Sequence, residues 1–147
     1  MSLKKQLMDD MKTAMKEKDR LRKATITLLR ADIKRFEVDK RKEITEDGII
    51  DLISKQIKQK KSAILEFRKG GREDLVQEAE AEMEVLMKYL PKQLTEEELK
   101  EIIGNAITEL KAESMKDMGK VMGAVSPIIK GKADGKTASD IVKALLS

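Results

Sequence analysis

The most informative absences in this sequence are cysteine and histidine, neither of which occurs among its 147 residues. Without them the chain has no thiol nucleophile, no disulfide, no imidazole base and none of the usual zinc ligands. No serine stands in the Gly-x-Ser-x-Gly pattern of a nucleophile elbow, and no activated nucleophile with a neighbouring base can be drawn. We therefore expect no catalytic residues, no bound metal and no cofactor in this chain by itself.

Aromatic side chains and phosphate-binding glycine motifs are also scarce. The chain has two phenylalanines, one tyrosine and no tryptophan, too few for the stacking surfaces that hold single-stranded nucleic acids. The Gly70–Gly71 pair lacks the glycine spacing and the Lys-Ser/Thr ending of a P-loop. Any nucleic-acid recognition would therefore depend on shape and phosphate, through lysines and main-chain amides.

Long apolar runs are missing as well. No stretch approaches the roughly 20 apolar residues that a membrane-spanning helix requires. The first residues lead directly into charged ones, without the apolar core of a signal peptide. We expect a cytoplasmic protein with no membrane partner.

Charge, by contrast, is abundant and unevenly distributed. Charged residues make up 39% of the chain and hydrophobic residues 40%, a balance that favours solvated amphipathic helices over disorder. Residues 1–42 contain 14 Lys/Arg against 7 Asp/Glu, residues 43–116 contain 12 against 17, and residues 117–147 contain 5 against 3. The two basic ends point mildly to a polyanionic partner.

Helix-start signals divide the chain into an all-helical series. Ser2, Asp19 and Thr45 each precede a stretch of apolar residues at helical spacing, as N-caps do. Thr95 and Glu98 have the spacing of a capping box. We expect an all-α fold with an N-terminal domain of about four helices in residues 1–92, followed by a C-terminal domain of about three helices in residues 93–147.

Four further expectations concern the first domain. The second helix is predicted to end before an exposed loop from Val38 to Glu43, and Gly70–Gly71 to join the third and fourth helices into an antiparallel hairpin. The glutamates at alternate positions from Glu78 to Glu84 do not share one helix face, and thus predict no metal site. The methionines on the helix faces are expected to fill the core, with a binding groove as the alternative, and they are Met8, Met11, Met15, Met83 and Met87.

The second helix carries a basic face opposite its apolar one. A face of this kind is usually solvated, but it is also compatible with contact to nucleic acid or to a partner protein. The sequence leaves these three interpretations open. The residues are Arg20, Arg22, Lys23, Arg30, Lys34 and Arg35.

Glycine and lysine are concentrated between Asp117 and Asp134, and no acidic residue lies between these two. Gly119 and Gly123 share one helix face, which predicts either a surface open to close approach by a ligand or a tight helix-packing point. The Lys130–Gly135 loop, in which Asp134 is placed to cap the final helix, belongs to the same surface or is a solvated turn. The candidate nucleic-acid-binding residues are Gly119, Lys120, Gly123, Lys130, Gly131, Lys132 and Lys136.

A family resemblance is carried by several motifs, namely MGKVMGAV, IKGKADG and IVKALL in the tail, and KGGREDL and YLPKQLTEEEL before it. The tail motifs resemble the domain shared by the YqeY proteins and the B subunit of aspartyl/glutamyl-tRNA amidotransferase. The earlier motifs and the overall length extend the similarity to the YqeY family over essentially the whole chain. This resemblance implies an all-helical fold in two parts and a tail that helps to hold tRNA. It implies no active site, because the amidotransferase's catalytic machinery lies outside the shared tail.

The favoured hypothesis is a non-catalytic accessory protein that binds tRNA or takes part in tRNA metabolism. The alternative is a helical adaptor that holds a partner enzyme, through the methionine-bearing helix face or the acidic fourth helix. Carbon–nitrogen ligase activity with glutamine as amido donor is implied by the resemblance alone. It would require a complex with a partner that supplies the glutaminase and ATP sites.

Overall fold

The structure, a computed structural model, describes residues 2–147. Between these limits the chain forms helices joined by short turns, with no strand, so the all-helical prediction is confirmed. The chain divides into two compact units between Leu90 and Pro91.

The first unit contains four helices, which are α1 (Leu3–Glu17), α2 (Arg20–Lys40), α3 (Glu46–Lys69) and α4 (Glu73–Met87). The first three of these helices start after the expected capping residues. Ser2 Oγ accepts a hydrogen bond from the main-chain N–H of Lys5, and Asp19 and Thr45 cap α2 and α3 in the same way. Each cap satisfies a main-chain donor that the helix itself leaves unpaired.

Helix α2 is longer than the sequence predicts, so the expectation of a loop from Val38 to Glu43 is wrong at its start. The helix continues to Lys40 and ends where Arg41 adopts a left-handed conformation, with φ 53°. Glu37 fixes the following turn, because its Oε2 accepts a 2.9 Å hydrogen bond from the main-chain N–H of Ile44. Val38 and its neighbours lack an apolar pattern because they are solvent-exposed, not because the helix has ended.

Helices α3 and α4 pack against each other as the predicted hairpin. Lys60 pairs with Glu82, and Arg68 pairs with Glu80 further toward the turn, which is the order that antiparallel helices require. Gly71 has a left-handed φ of 71° in the turn. The main core of the unit lies among all four helices and includes Leu7, Met11, Ile26, Leu29, Ile33, Ile49, Ile53, Ile57 and Leu86.

The methionines do not all join this core. Met11 is buried, whereas Met8, Met15 and Met87 are 42%, 55% and 41% exposed. The expectation that methionine fills the core is therefore wrong for these three. They lie at the edges of their apolar stripes, where the neighbouring helix no longer covers them.

The second unit contains α5 (Glu96–Leu110), a single 3₁₀ turn (Met115–Asp117), α6 (Met118–Ile129) and α7 (Gly135–Leu146). The capping box of α5 is present in both directions between Thr95 and Glu98. Ser114 caps the 3₁₀ turn through the N–H of Lys116, and Pro127 lies inside the last turn of α6. The core includes Leu99, Ile103, Val121, Val125, Ile129, Ala138, Val142 and Leu146.

Candidate nucleic-acid interface

Helix α6 has one buried stripe and one exposed face. Val121, Val125 and Ile129 are spaced four residues apart and are buried against α5 and α7. Gly119 and Gly123 lie on the exposed side with Lys120. Because these three β-branched residues are buried, the opposite side of α6, which carries the glycines, is exposed to solvent.

Among residues 2–147, no other part of the fold fills the space where a side chain at Gly119 or Gly123 would begin. A Cβ atom built at either Gly119 or Gly123 would meet nothing within 4 Å. The interpretation of these glycines as a helix-packing point is therefore wrong. The other interpretation stays open, in which the main chain of α6 is accessible to a ligand at Gly119 and, one turn later, at Gly123.

The turn after α6 is held by main-chain geometry and by the segment that precedes α5. Gly131 has φ 72°, a left-handed conformation that glycine adopts without strain. Its carbonyl oxygen accepts a 2.7 Å hydrogen bond from Gln93 Nε2, and the carbonyl of Lys132 accepts a 2.8 Å bond from the N–H of Leu94. Gly131 therefore has a structural reason to be glycine, and its part in close approach to a ligand stays a prediction.

The four candidate lysines are exposed, but they occupy different settings. Lys120 stands in the first turns of α6, while Lys130 and Lys132 flank Gly131 after its end. Lys120 and Lys130 are about ten residues apart, which corresponds to roughly 15 Å along a helix axis. Lys130, Gly131 and Lys132 are therefore neighbours in the turn after α6, whereas Lys120 lies near the start of that helix.

Lys136 has an acidic neighbour. It lies in the first turn of α7, where its main-chain N–H donates a 3.1 Å hydrogen bond to Asp134 Oδ1. This bond confirms Asp134 as the predicted N-cap. It also places a carboxylate at the end of α7 where an anion would bind, which weakens the positive field at the start of this helix.

Residues with shifted pKa values lie in the first unit, where each has a structural partner. Burial, and then a hydrogen bond to Asp10, raise the pKa of Tyr89 above its usual range. The hydrogen bond from Lys4 Nζ lowers the pKa of the Glu37 carboxyl, and Arg72 does the same for Asp74. Shifted values can mark an active site, but these belong to ion pairs and hydrogen bonds that join or cap helices. Within residues 2–147, no three acidic side chains are grouped to hold a metal ion.

Sequence reasoning missed two features. Gln93 and Leu94 were not recognised as supports of the 130–134 turn, and nothing local in the sequence links positions 38 residues apart. The groove between α1 and α2 was anticipated only as part of a methionine-bearing helix face, and its position beside the basic residues Arg30 and Lys34 was missed. No helix in the described part of the chain is long and apolar enough to cross a membrane.

The described residues thus form an all-helical protein of two units, the second of which exposes two glycines and a lysine on α6 and further lysines in the turn after it. Comparison with known proteins then identifies the family. The family model described as Yqey-like protein matches residues 4–146, and the chain belongs to the YqeY family.

Relatives at substantial identity carry the name Altered inheritance of mitochondria protein 41, mitochondrial. The one from Lachancea thermotolerans is 43% identical over 108 residues, which cover 71% of this chain and 58% of the relative. The one from Pyrenophora tritici-repentis is 36% identical over 129 residues, which cover 86% of this chain and 71% of the relative. The one from Kluyveromyces lactis is 43% identical over 84 residues, 56% of this chain and 45% of the relative. The chain therefore spans little more than half the length of the first of these relatives.

These names correct one expectation. The absence of an apolar leader in the first residues led to the prediction of a cytoplasmic protein. The relatives are named as mitochondrial proteins, which contradicts that prediction.

Proposed function

We propose that this protein is a non-catalytic accessory protein that binds folded RNA, with tRNA as the first ligand to test. The binding surface is the exposed face of α6 together with the turn at Lys130–Lys132. The resemblance of the tail to that of the amidotransferase B subunit supports this choice of ligand. The scarcity of aromatic residues supports recognition of phosphates instead of stacked bases.

The observation that carries the proposal is the open main chain at Gly119 and Gly123. A phosphate backbone can approach a helix more closely where no side chain projects, and Lys120 lies beside this gap. No acidic residue between Asp117 and Asp134 opposes the approach. The lysines then neutralise phosphates and release counterions, which makes the affinity dependent on salt.

The turn at Lys130–Lys132 contributes to binding because hydrogen bonds already restrict the movement of its main chain. Lysine side chains lose conformational entropy when they bind, and a fixed main chain reduces the further cost of ordering the loop. The two hydrogen bonds from Gln93 and Leu94 hold the carbonyls of Gly131 and Lys132 before any ligand arrives. Lys132 is therefore presented from a pre-formed turn.

The experiment compares tRNA binding by the wild-type protein and the Lys120→Gln/Lys132→Gln variant at several salt concentrations. We expect weaker binding by the variant, and a salt slope reduced by roughly 0.9 for each lost phosphate contact. The matched control is Lys55→Gln/Lys58→Gln, which removes the same charge from exposed positions of α3. An equal loss in the control, or the absence of tRNA binding by the wild-type protein, would contradict the proposal.

A further inference from the structure

A groove of about 510 Å³ lies on the first unit between α1 and α2. Its floor is apolar, with the buried side chains of Leu7 and Ile33 beneath the partly exposed Met8 and the exposed Ala31. The volume is within the range of roughly 300–1,000 Å³ that is typical of ligand sites. Because Met8 is 42% exposed here, the groove offers an apolar contact that the fold itself does not use.

The rim of the groove is basic. Arg30 and Lys34 stand one helical turn apart on α2, and both are exposed. Neither side chain forms a hydrogen bond or an ion pair with any residue from 2 to 147. Two like charges at this spacing repel each other, so an acidic partner would remove an unfavourable interaction as well as add a favourable one.

The carboxylate that also lines the groove is already engaged. Glu37 Oε2 accepts a 2.6 Å hydrogen bond from Lys4 Nζ and a 2.9 Å bond from the main-chain N–H of Ile44. Two other cations of α2 have acidic partners, since Arg22 pairs with Asp10 and Arg35 pairs with Asp32. Arg30 and Lys34, which line this groove, are therefore available to pair with an acidic group that is not part of the described chain.

We propose that this groove binds an acidic amphipathic helix of a partner protein. Apolar side chains of the bound helix, at positions such as i, i+4 and i+7, would enter beside Met8, and flanking Asp or Glu residues would pair with Arg30 and Lys34. A third helix fits the channel between two packed helices, because side-chain ridges on one helix fill grooves on its neighbours. Methionine suits this contact because its flexible thioether adapts to different apolar shapes.

The apolar floor decides between a protein helix and RNA. Phosphates could pair with Arg30 and Lys34, but they would leave the apolar surface around Met8 in water. A helix with apolar and acidic residues satisfies both parts of the site. This inference is independent of the RNA site proposed on the second unit, because the two use different residues.

The first step of the test is a selection from a displayed library of helical peptides that share an apolar stripe and have randomised flanking residues. We expect wild-type protein to enrich peptides with Asp and Glu beside the stripe. The variant Arg30→Glu/Lys34→Glu should enrich Lys and Arg instead, since reversing the rim reverses the preferred charge. The control Lys55→Glu/Lys58→Glu, with the same change on exposed positions of α3, should behave like wild type.

The second step measures the affinity of an enriched acidic peptide by fluorescence anisotropy. Arg30→Glu/Lys34→Glu should weaken binding by about tenfold or more, while Lys120→Gln/Lys132→Gln should leave it unchanged. The methyl resonance of Met8, assigned with the Met8→Leu variant, should shift when the peptide is added. Circular dichroism of each variant separates loss of binding from loss of fold.

Several outcomes would overturn the proposal. One is enrichment without a charge preference, or with the same preference in the reversed variant. Displacement of the peptide by tRNA would identify the groove as an RNA site, and a protein dimer that dissociates on Arg30→Glu/Lys34→Glu would identify a second copy as the occupant. An unmoved Met8 resonance would show that binding is electrostatic and lies outside the groove.

Discussion

The side-chain amide of Gln93 donates a 2.7 Å hydrogen bond to the main-chain carbonyl of Gly131, 38 residues further along the chain. The same amide also donates to the carbonyl of Pro91, at 2.9 Å. One side chain thus joins the start of the second unit to the turn between α6 and α7. The position of the lysines around that turn therefore depends on a residue that carries no charge.

Replacing Gln93 with alanine should loosen this turn. We expect the second unit to lose about 1 kcal/mol of stability, because a hydrogen bond is removed and the carbonyl of Gly131 must find water instead. Hydrogen exchange of the neighbouring Leu94 amide should become faster, since it donates to Lys132 in the same turn. The control Gln59→Ala changes an exposed glutamine of α3 and should affect neither quantity. Unchanged exchange at Leu94 would show that Gln93 does not support the turn.

Local features of the fold could be predicted from the sequence. The capping box of Thr95 and Glu98 depends on four consecutive residues, and both of its hydrogen bonds are present, at 3.1 and 3.4 Å. The end of α2 could not be predicted in this way. It depends on the left-handed conformation of Arg41 and on the bond from the Ile44 N–H to Glu37, neither of which leaves a local pattern.

The candidate site was predictable only in part. The spacing of Gly119 and Gly123 places them on one face, but it does not say whether another helix covers that face. The answer follows from Val121 and Val125, which pack inward and turn the glycines outward. The exposure of Met8 likewise depends on packing, because Met8 lines an open groove between α1 and α2.

The burial of Tyr89 and its hydrogen bond to Asp10 should make stability depend on alkaline pH. Because the folded-state pKa of Tyr89 is raised above its ordinary value of 10.0, the folded chain retains a proton that the unfolded chain loses. The contribution is fully present below pH 10.0 and decreases as the pH rises toward the folded-state pKa. Urea unfolding at pH values on both sides of 10 should show this decrease in wild type, and a smaller one in Tyr89→Phe. Identical pH dependence in both proteins would show that Tyr89 is not the group responsible for the loss of stability.

The purified chain should show no ATPase, glutaminase or amidase activity on its own. The reason is chemical, because the sequence has neither cysteine nor histidine to supply a nucleophile or a base. Assays with ammonia release and phosphate release as readouts would check this expectation. Turnover that survives purification and disappears on a single substitution would contradict it.

Two glycines of the tail should respond to alanine in opposite directions. Gly131→Ala should destabilise the second unit by about 1–2 kcal/mol, because an alanine at φ 72° is strained. Gly123→Ala should stabilise it by about 0.5–1 kcal/mol, because alanine favours the helix and its Cβ would meet no atom within 4 Å. Urea unfolding of both variants measures whether each substitution raises or lowers the free energy of unfolding. Equal destabilisation by both would show that the face of α6 is covered in solution.

The same Gly123→Ala variant gives the sharpest test of the RNA site. If RNA approaches the open main chain of α6, the added methyl group should weaken tRNA binding several-fold although the protein is more stable, and Gly123→Gln should weaken it further. Gly104→Ala is the matched control, since Gly104 lies within α5 and a Cβ there also meets nothing within 4 Å. It should add similar stability and leave tRNA affinity unchanged. If both alanine variants bind tRNA as wild type does, close approach to α6 is excluded, and the lysine turn alone must account for any binding.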